Sequence, residues 1–255
     1  MNFIHVLILG IIEGITEFLP ISSTGHLILA SHLLKLEQTE FLKTFEIVIQ
    51  LGAITAVVFL YWQRVLTNFE LIKKILVAFI PTAIIGFFVY PFVKSVLLES
   101  QHIVVWALFL GGVGIYLFEK WYDDKPTGQT LEQMTYKQAL VIGLAQSVAI
   151  VPGVSRAAAT IIGGLFAGLD RKSIVEFSFL LAIPTMVGAS GLDLIKSGSS
   201  ITSQEYGMLG VGFVVALITA ILAVKWLLKY IQSHNFVSFG IYRIILAVLF
   251  LILIL

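Results

Sequence analysis

The sequence predicts an all-α polytopic membrane protein with an inverted-topology repeat, in which each half contains one re-entrant helical hairpin and three transmembrane helices. Three observations support this prediction. Of the 255 residues, 58% are hydrophobic and 12% are charged, whereas soluble domains carry about 25% charged residues. Six apolar windows approach or reach the length of about 20 helical residues that a hydrocarbon core requires. The order of short and long apolar segments is also the same in both halves.

The first half begins with a hairpin because its first two apolar segments are short. The helix that starts near Asn2 meets Pro20 before a full span is complete, and the apolar run at 27–34 is shorter still. Irregular backbone at membrane depth is tolerated where protein or a water-filled cavity satisfies it. The two segments are therefore predicted to enter and leave on one side. Transmembrane helices are predicted to follow at 41–62, 75–93 and 103–118.

The second half repeats this order after a polar interruption. We predict repeat one at 1–122, a polar linker at 123–134 and repeat two at 135–255, with spans at 174–195, 206–228 and 239–255. Three spans per half is an odd number, so the second half has the inverted orientation. A shift of 132 positions brings Pro20 onto Pro152, Ser23 onto Ser155, Leu33 onto Leu165 and Phe45 onto Phe177.

Lysine and arginine predict the orientation. The side on which the first hairpin opens, called its mouth, receives four basic residues. The other side receives eleven, and Arg156 is in neither group. Because positive residues concentrate in cytoplasmic loops, both termini and that mouth are predicted to be periplasmic. The eleven are Arg64, Lys73, Lys74, Lys120, Lys125, Lys137, Arg171, Lys172, Lys225, Lys229 and Arg243; the four are Lys35, Lys43, Lys94 and Lys196.

Two acids lie inside the first apolar helix. Glu13 is about 16 Å from the helix start at 1.5 Å per residue, and Glu17 is one turn further. Each buried charge costs about 2.5 to 3.5 kcal/mol on insertion scales, and like charges at i and i+4 repel. Either one carboxylate is protonated or a divalent cation, Mg²⁺ or Ca²⁺, lies between Glu13 and Glu17. A purely structural buried pair is the alternative.

The second hairpin contains the features of an anion site. In "VPGVSRAAAT" at 151–160, a Pro-Gly break precedes Ser155 and Arg156, and an alanine-rich helix follows. A helix N-terminus presents free N–H groups to anions, and the Arg156 guanidinium matches phosphate oxygens. Gly153, Ser155, Arg156 and Thr160 are therefore predicted to bind phosphate.

The first hairpin contains a related segment, "ISSTGH" at 21–26. We predict that Ser22, Ser23, Thr24 and Gly25 also form an anion-binding helix start. His26 follows Ser23 by three residues, a spacing that allows its imidazole to act as a general acid or base. The other histidines are assigned to interfacial or structural positions.

Several classes of site are excluded by composition. The chain has no cysteine, so it has neither a disulfide framework nor a thiolate metal site. Its net charge is +1 and no basic run resembles a nucleic-acid patch, so no nucleic-acid partner is expected. The sequence leaves open whether the protein is a monomer or a homodimer.

Together, "EGITEFLPISSTGH" at 13–26 and "PGVSRAAAT" at 152–160 resemble the motifs of the undecaprenyl-diphosphatase family, bacterial inner-membrane enzymes also called bacitracin resistance proteins. The resemblance extends through "KTFEIVIQLGAI" at 43–54, "MTYKQA" at 134–139 and "EFSFLLAIPTMVGA" at 176–189. Family motifs match at Glu13 and Glu17, and at Pro152, Gly153, Ser155, Arg156 and Thr160. Ala157 is a departure, because the family usually has serine there.

The resemblance implies hydrolysis of undecaprenyl diphosphate to the monophosphate, which recycles a lipid carrier for the cell wall. Ser23 is our preferred nucleophile, with Glu17 or His26 as its base and Arg156 as the phosphate ligand. Attack by His26 or by metal-bound water remains an alternative. The partners are then the lipid substrate and membrane lipids. A proton-coupled transporter or flippase of polyprenyl lipids is the competing class, because inverted repeats with buried charges also describe carriers.

Overall fold

The computed structural model describes residues 1–97, 100–122, 129–196 and 202–253, and these parts of the chain form ten α-helices. The prediction of an all-α fold is confirmed. The helices are α1 Phe3–Thr16, α2 Ser23–Leu33, α3 Glu40–Thr67, α4 Phe69–Phe92, α5 Gln101–Trp121, α6 Tyr136–Ser147, α7 Arg156–Phe166, α8 Arg171–Lys196, α9 Ser203–Tyr230 and α10 Val237–Leu253. A π-helical turn, Val93–Leu97, follows α4.

Five of these helices are long and apolar enough to cross a membrane: Glu40–Thr67, Phe69–Phe92, Gln101–Trp121, Arg171–Gly191 and Glu205–Tyr230. This confirms a multi-pass membrane protein. The sixth predicted span, 239–255, corresponds to α10, a shorter apolar helix whose described part has 17 residues. Residues 254 and 255 lie outside the described chain.

Each half opens with two short helices that pack against each other. We call α1 and α2, with the connecting residues 17–22, the first hairpin, and α6 and α7, with residues 148–155, the second hairpin. Each connection contains a proline, Pro20 or Pro152, which prevents the preceding helix from continuing through it. Three longer helices follow each hairpin.

The two halves pack closely together. Helix α1 of the first hairpin packs on α9, and α6 of the second hairpin packs on α4, while α3 contacts α8 and α5 contacts α10. Such exchanged contacts are what a two-fold relation between the halves would give. The inversion of the halves across the membrane remains a prediction.

The predicted polar linker is largely part of the packed structure where it is described. Residues 123–128, including Lys125, lie outside the described chain. Leu131 and Met134 are buried in the main core, and Gln129 exchanges backbone hydrogen bonds with Gly168 and Asp170. Two apolar side chains at i and i+3 therefore attach residues 129–134 of the predicted linker to the protein. The division into two repeats stays a prediction.

The placement of Arg243 among the cytoplasmic surface charges is also wrong. Its side chain is 0% exposed and lies in the interior, where it donates hydrogen bonds to five backbone carbonyls. Removing it from the eleven basic residues leaves ten against four. The excess that predicts the orientation therefore persists.

Candidate functional site

A cleft of about 70 Å³ lies where the two hairpins meet α3 and α8. Most of the side chains that line it are polar, although it is formed within an apolar helical protein. Its lining combines one acid, one arginine and several hydroxyl groups, a composition suited to a phosphate ligand. The lining residues are Glu17, Ser22, Ser23, Thr24, Gln50, Gly153, Ser155, Arg156 and Met186.

Both hairpins present the start of a helix to this cleft in the same backbone conformation. Ser22 has φ 71° and ψ 97° before α2, and Ser155 has φ 76° and ψ 113° before α7. Each serine hydroxyl accepts a hydrogen bond from the N–H three residues later, that of Gly25 or Ala158. The caps leave other N–H groups of the first turn available to a ligand.

This geometry corrects the register of the repeat at the hairpins. The sequence comparison pairs Ser23 with Ser155 at a shift of 132, whereas the two capping serines, Ser22 and Ser155, are 133 positions apart (155 − 22). Under the structural register Ser23 corresponds to Arg156 (156 − 23). Both residues occupy the first helical position, although their side chains differ completely.

Ser23 is hydrogen-bonded to an acid inside the cleft. Its hydroxyl donates to Glu17 Oε2 over 2.6 Å, and both side chains are buried. A buried carboxylate that accepts from a hydroxyl is positioned to take the hydroxyl proton. The structure thus brings together two predicted catalytic residues, Ser23 and Glu17.

Arg156 lies against Glu17 with part of its donor capacity unused. Its Nη1 donates to the Ser178 carbonyl over 2.8 Å, whereas Nη2 contacts the Glu17 carbonyl at 3.3 Å and Oε1 at 3.4 Å. The Nε atom is buried, and no hydrogen-bond partner for it is found among the described residues. A buried donor without a partner is costly, so the Arg156 guanidinium retains donor capacity beyond its contacts with Ser178 and Glu17.

Glu13 is buried next to Glu17, and its carboxylate has no donor among the described residues. The side chain is 0% exposed, and no described N–H or O–H donates to either oxygen. It lies one helical turn before Glu17, whose N–H donates to the Glu13 carbonyl over 3.0 Å. Two carboxylates together with phosphate oxygens match the oxygen ligands of a hard divalent cation, so Glu13 and Glu17 fit the predicted metal. The described residues contain no cluster of three or more such ligands.

The His26 imidazole is directed away from Ser23. Nδ1 lies 2.7 Å from the Ser22 carbonyl and Nε2 lies 2.7 Å from the Tyr242 hydroxyl, so both ring nitrogens have other partners. His26 is also not among the residues that line the cleft. Of the two predicted bases for Ser23, this arrangement favours Glu17, because only its carboxylate contacts the hydroxyl.

Two predicted phosphate ligands also lie outside the cleft lining. The Thr160 hydroxyl donates to the Arg156 carbonyl over 2.8 Å and lies 3.5 Å from Gln146 Oε1, so it stabilises α7. The Gly25 N–H is used by the Ser22 cap. A Cβ at Gly25 would lie 2.9 Å from the Leu108 side chain, so this glycine permits α2 to approach α5. Neither arrangement supports direct phosphate binding by these residues.

Sequence reasoning missed two residues of the lining, Gln50 and Met186. Gln50 is an uncharged polar residue in the middle of the apolar helix α3, and that contrast could have identified it. Its Oε1 lies 3.4 Å from the Ser190 hydroxyl. Met186 gives no such signal, because an apolar side chain in an apolar helix is ordinary.

Comparison with known proteins gives consistent results over nearly the whole chain. A family model described as bacitracin resistance protein BacA matches residues 6–249. The undecaprenyl-diphosphatase of Sulfurihydrogenibium sp. (strain YO3AOP1) is 52% identical over 251 residues, with 98% of each chain covered. That of Aquifex aeolicus is 50% identical with 96% of each chain covered, and that of Wolinella succinogenes is 51% identical with 98% covered.

Proposed function

The chain belongs to the bacitracin resistance protein BacA family, and we propose that it is an integral membrane phosphatase that hydrolyses undecaprenyl diphosphate. The products are undecaprenyl phosphate and inorganic phosphate. The observation that carries this function is the buried Ser23 hydroxyl on the Glu17 carboxylate beside Arg156. Transport alone does not require a serine hydroxyl that is hydrogen-bonded to a carboxylate, so the transporter alternative is not favoured.

The first chemical step is attack by Ser23 on the terminal phosphorus. Glu17 takes the hydroxyl proton as the new oxygen–phosphorus bond forms, and the bridging oxygen leaves with undecaprenyl phosphate. Glu17 passes that proton to the leaving oxygen. Water then attacks the phosphoserine while Glu17 takes a proton from the water, and this proton goes to the Ser23 oxygen as its bond to phosphorus breaks and inorganic phosphate leaves. The short Ser23–Glu17 hydrogen bond supports this assignment of nucleophile and base.

Arg156 and the two helix starts bind the charge of the diphosphate. Arg156 can direct its unpartnered Nε toward a phosphate oxygen while Nη1 remains on the Ser178 carbonyl. Free N–H groups at the starts of α2 and α7 add further donors. Donors that are already oriented before the reaction stabilise the developing charge without reorganisation. Such electrostatic stabilisation accounts for most of the catalysis of phosphoryl transfer.

Glu13 and Glu17 are the residues that would hold a divalent cation, Mg²⁺ or Ca²⁺. When bound, such an ion would neutralise charge on the diphosphate oxygens. Glu13 supports this assignment because both of its buried oxygens have no partner. Excess chelator should abolish phosphate release and added Mg²⁺ or Ca²⁺ should restore it; full turnover in chelator contradicts the cation.

We place the protein in the bacterial inner membrane with the first hairpin opening to the periplasm. Gln38 and Gln232 are exposed residues on the two predicted sides, and the chain has no native cysteine. In intact spheroplasts, Gln38→Cys should react with an impermeant maleimide, whereas Gln232→Cys should react only after lysis. The opposite pattern would move the reaction to the cytoplasmic face.

The activity is tested directly with purified protein in detergent. Phosphate release from undecaprenyl diphosphate is expected, because a micelle holds no gradient to drive a carrier. Glu17→Gln keeps the size of the side chain but removes the base, so release should fall by about 10³-fold or more. Absence of release from the parent protein contradicts the function.

A further inference from the structure

The Arg243 side chain lies between the tips of the two hairpins, which are their connecting residues 17–22 and 148–155. It comes from α10, outside the motifs at 13–26 and 152–160, and is 0% exposed. Its hydrogen bonds go to the carbonyls of Leu108 (3.3 Å, from Nε), Pro20 (3.3 Å) and Val154 (2.8 Å, both from Nη1), and Ala107 (3.0 Å) and Gly153 (2.9 Å, both from Nη2). One guanidinium therefore contacts the first hairpin, the second hairpin and α5.

The partners of Arg243 differ in kind from those of a structural ion pair. All its hydrogen-bond partners are backbone carbonyls, and none of the ion pairs in the described chain includes it. A buried guanidinium that donates only to backbone carbonyls fixes the orientation of the peptide units that accept from it. If Arg243 only filled space in the core, one carboxylate would be enough to balance its charge.

The Val154–Ser155 peptide unit shows what this orientation achieves. Its carbonyl accepts from Arg243, so in a trans peptide the Ser155 N–H points the opposite way. Within the described residues, no backbone acceptor is found for the Ser155 N–H, whereas the preceding Val154 N–H donates to the Val151 carbonyl. Ser155 lines the cleft, and its N–H is a donor that no described backbone carbonyl uses.

We propose that Arg243 is a positioning residue that aligns the two hairpin tips and directs the Ser155 N–H into the cleft as a donor for the transferring phosphoryl group. Among the described residues Arg243 has no hydrogen bond to Ser23 or Glu17, so it acts through the hairpin backbone. The proposal rests on the proposed phosphatase function. It adds a requirement that lies outside the sequence motifs.

Helix α5 leaves space for this guanidinium at a glycine. A Cβ at Gly111 would lie 2.1 Å from Arg243 Nη2 and 2.8 Å from Cζ, so alanine there must displace the guanidinium. Three residues further on, a Cβ at Gly114 would meet nothing within 4 Å. Gly111→Ala thus disturbs Arg243 without removing its charge, and Gly114→Ala is the matched control.

The test measures kcat and KM for phosphate release together with melting in detergent. We expect Gly111→Ala to lower kcat about tenfold or more, and Arg243→Gln about 100-fold, with KM changed less than threefold, because an oriented donor acts mainly in the transition state. Gly114→Ala should retain parental kinetics. Arg243→Lys keeps the charge but reaches fewer carbonyls, so its kcat should lie between those of the parent and Arg243→Gln.

A merely structural role gives a different pattern. Melting temperature would then fall while kcat per folded molecule stayed parental, or KM alone would rise, and either result overturns the proposal. If Arg243 variants do not fold, Gly111→Ala against Gly114→Ala decides the question, since both retain the arginine.

A second readout does not depend on activity. Spin labels on cysteines at Leu33 and Phe166, exposed residues at the ends of α2 and α7, report the distance between the hairpins in this cysteine-free chain. The distance distribution should broaden or shift in Gly111→Ala and not in Gly114→Ala; an unchanged distribution overturns the alignment. If the parent releases no phosphate, the phosphatase function fails while this measurement still tests Arg243.

Discussion

The two hairpins share one backbone structure and differ in their chemistry. Ser22 and Ser155 cap their helices at nearly the same positive φ. The next residue is Ser23 in the first hairpin and Arg156 in the second. The fold thus provides two similar helix starts, and the side chain at the first helical position differs. In the proposed function, Ser23 is the nucleophile and Arg156 is the phosphate ligand.

A second corresponding pair shows the same division. Glu13 corresponds to Gln146 at a separation of 133 (146 − 13), and both side chains are buried. The Gln146 amide donates to the hydroxyls of Thr82 and Thr185 over 2.9 and 3.2 Å, whereas the Glu13 oxygens have no partner. A hydrogen-bonded amide therefore occupies this position in the second hairpin, and a carboxyl group without a donor among the described residues occupies it in the first.

The strongest test of this comparison is Ser23→Ala. Removing the nucleophile should lower kcat by about 10⁴-fold or more, with little change in melting because alanine is a good helix former. Thr24→Ala is the comparison variant: it removes another hydroxyl of the cleft lining, but one without a hydrogen bond to Glu17, and should cost far less turnover than Ser23→Ala. Turnover of Ser23→Ala above a tenth of the parent would instead favour attack by water or by His26.

Arg156 at the corresponding position should give the next largest effect. Arg156→Ala should reduce phosphate release by about 10² to 10³-fold, as expected for loss of one preorganised charge partner. Arg156→Lys keeps the charge but loses the planar fork and should still be badly impaired. Both should melt near the parent; lower melting that Glu17→Gln restores would show a structural ion pair.

Reciprocal exchange of Glu13 and Gln146 should separate stability from activity. Gln146→Glu places an unpaired charge in the second hairpin and should lower the free energy of unfolding by about 2 to 4 kcal/mol. Glu13→Gln should leave stability within about 1 kcal/mol of the parent or raise it, while phosphate release in excess Mg²⁺ falls strongly. Equal destabilisation by both changes would contradict the distinction.

The smallest effects concern the two caps. Ser22→Ala and Ser155→Ala should each destabilise by about 1 kcal/mol, because the cap is lost and φ stays positive. Ser22→Gly and Ser155→Gly should melt close to the parent, since glycine adopts positive φ freely. Melting in detergent measures all four. A clear difference between the hairpins would show that their caps are not equivalent.

Much of the fold follows from composition and apolar length. The predicted span 41–62 lies within α3, and 206–228 lies within α9, because long apolar stretches have few alternatives. The family prediction is confirmed, and Ser23, Glu17 and Arg156 meet as their motifs suggested. Local patterns with strong physical constraints are thus readable from sequence.

The remaining features depend on tertiary contacts that one sequence does not reveal. The shift between the two hairpins was predicted one residue too short, because Ser22 and Ser23 are adjacent and either could be the helix cap. Only the backbone angles show that Ser22 is the cap. His26 was expected beside Ser23, but its direction is fixed by Tyr242, a distant residue on α10. Arg243 resembled an ordinary interfacial charge because carbonyl partners leave no mark in the sequence.

The Glu17–Arg156 contact has a consequence for biogenesis, because it joins residues 139 positions apart. When the first hairpin has been synthesised, its two acids must remain in the translocon or the lipid without their arginine until the second hairpin emerges. A ribosome-bound intermediate that contains only the first half therefore lacks the arginine that contacts Glu17 in the folded chain.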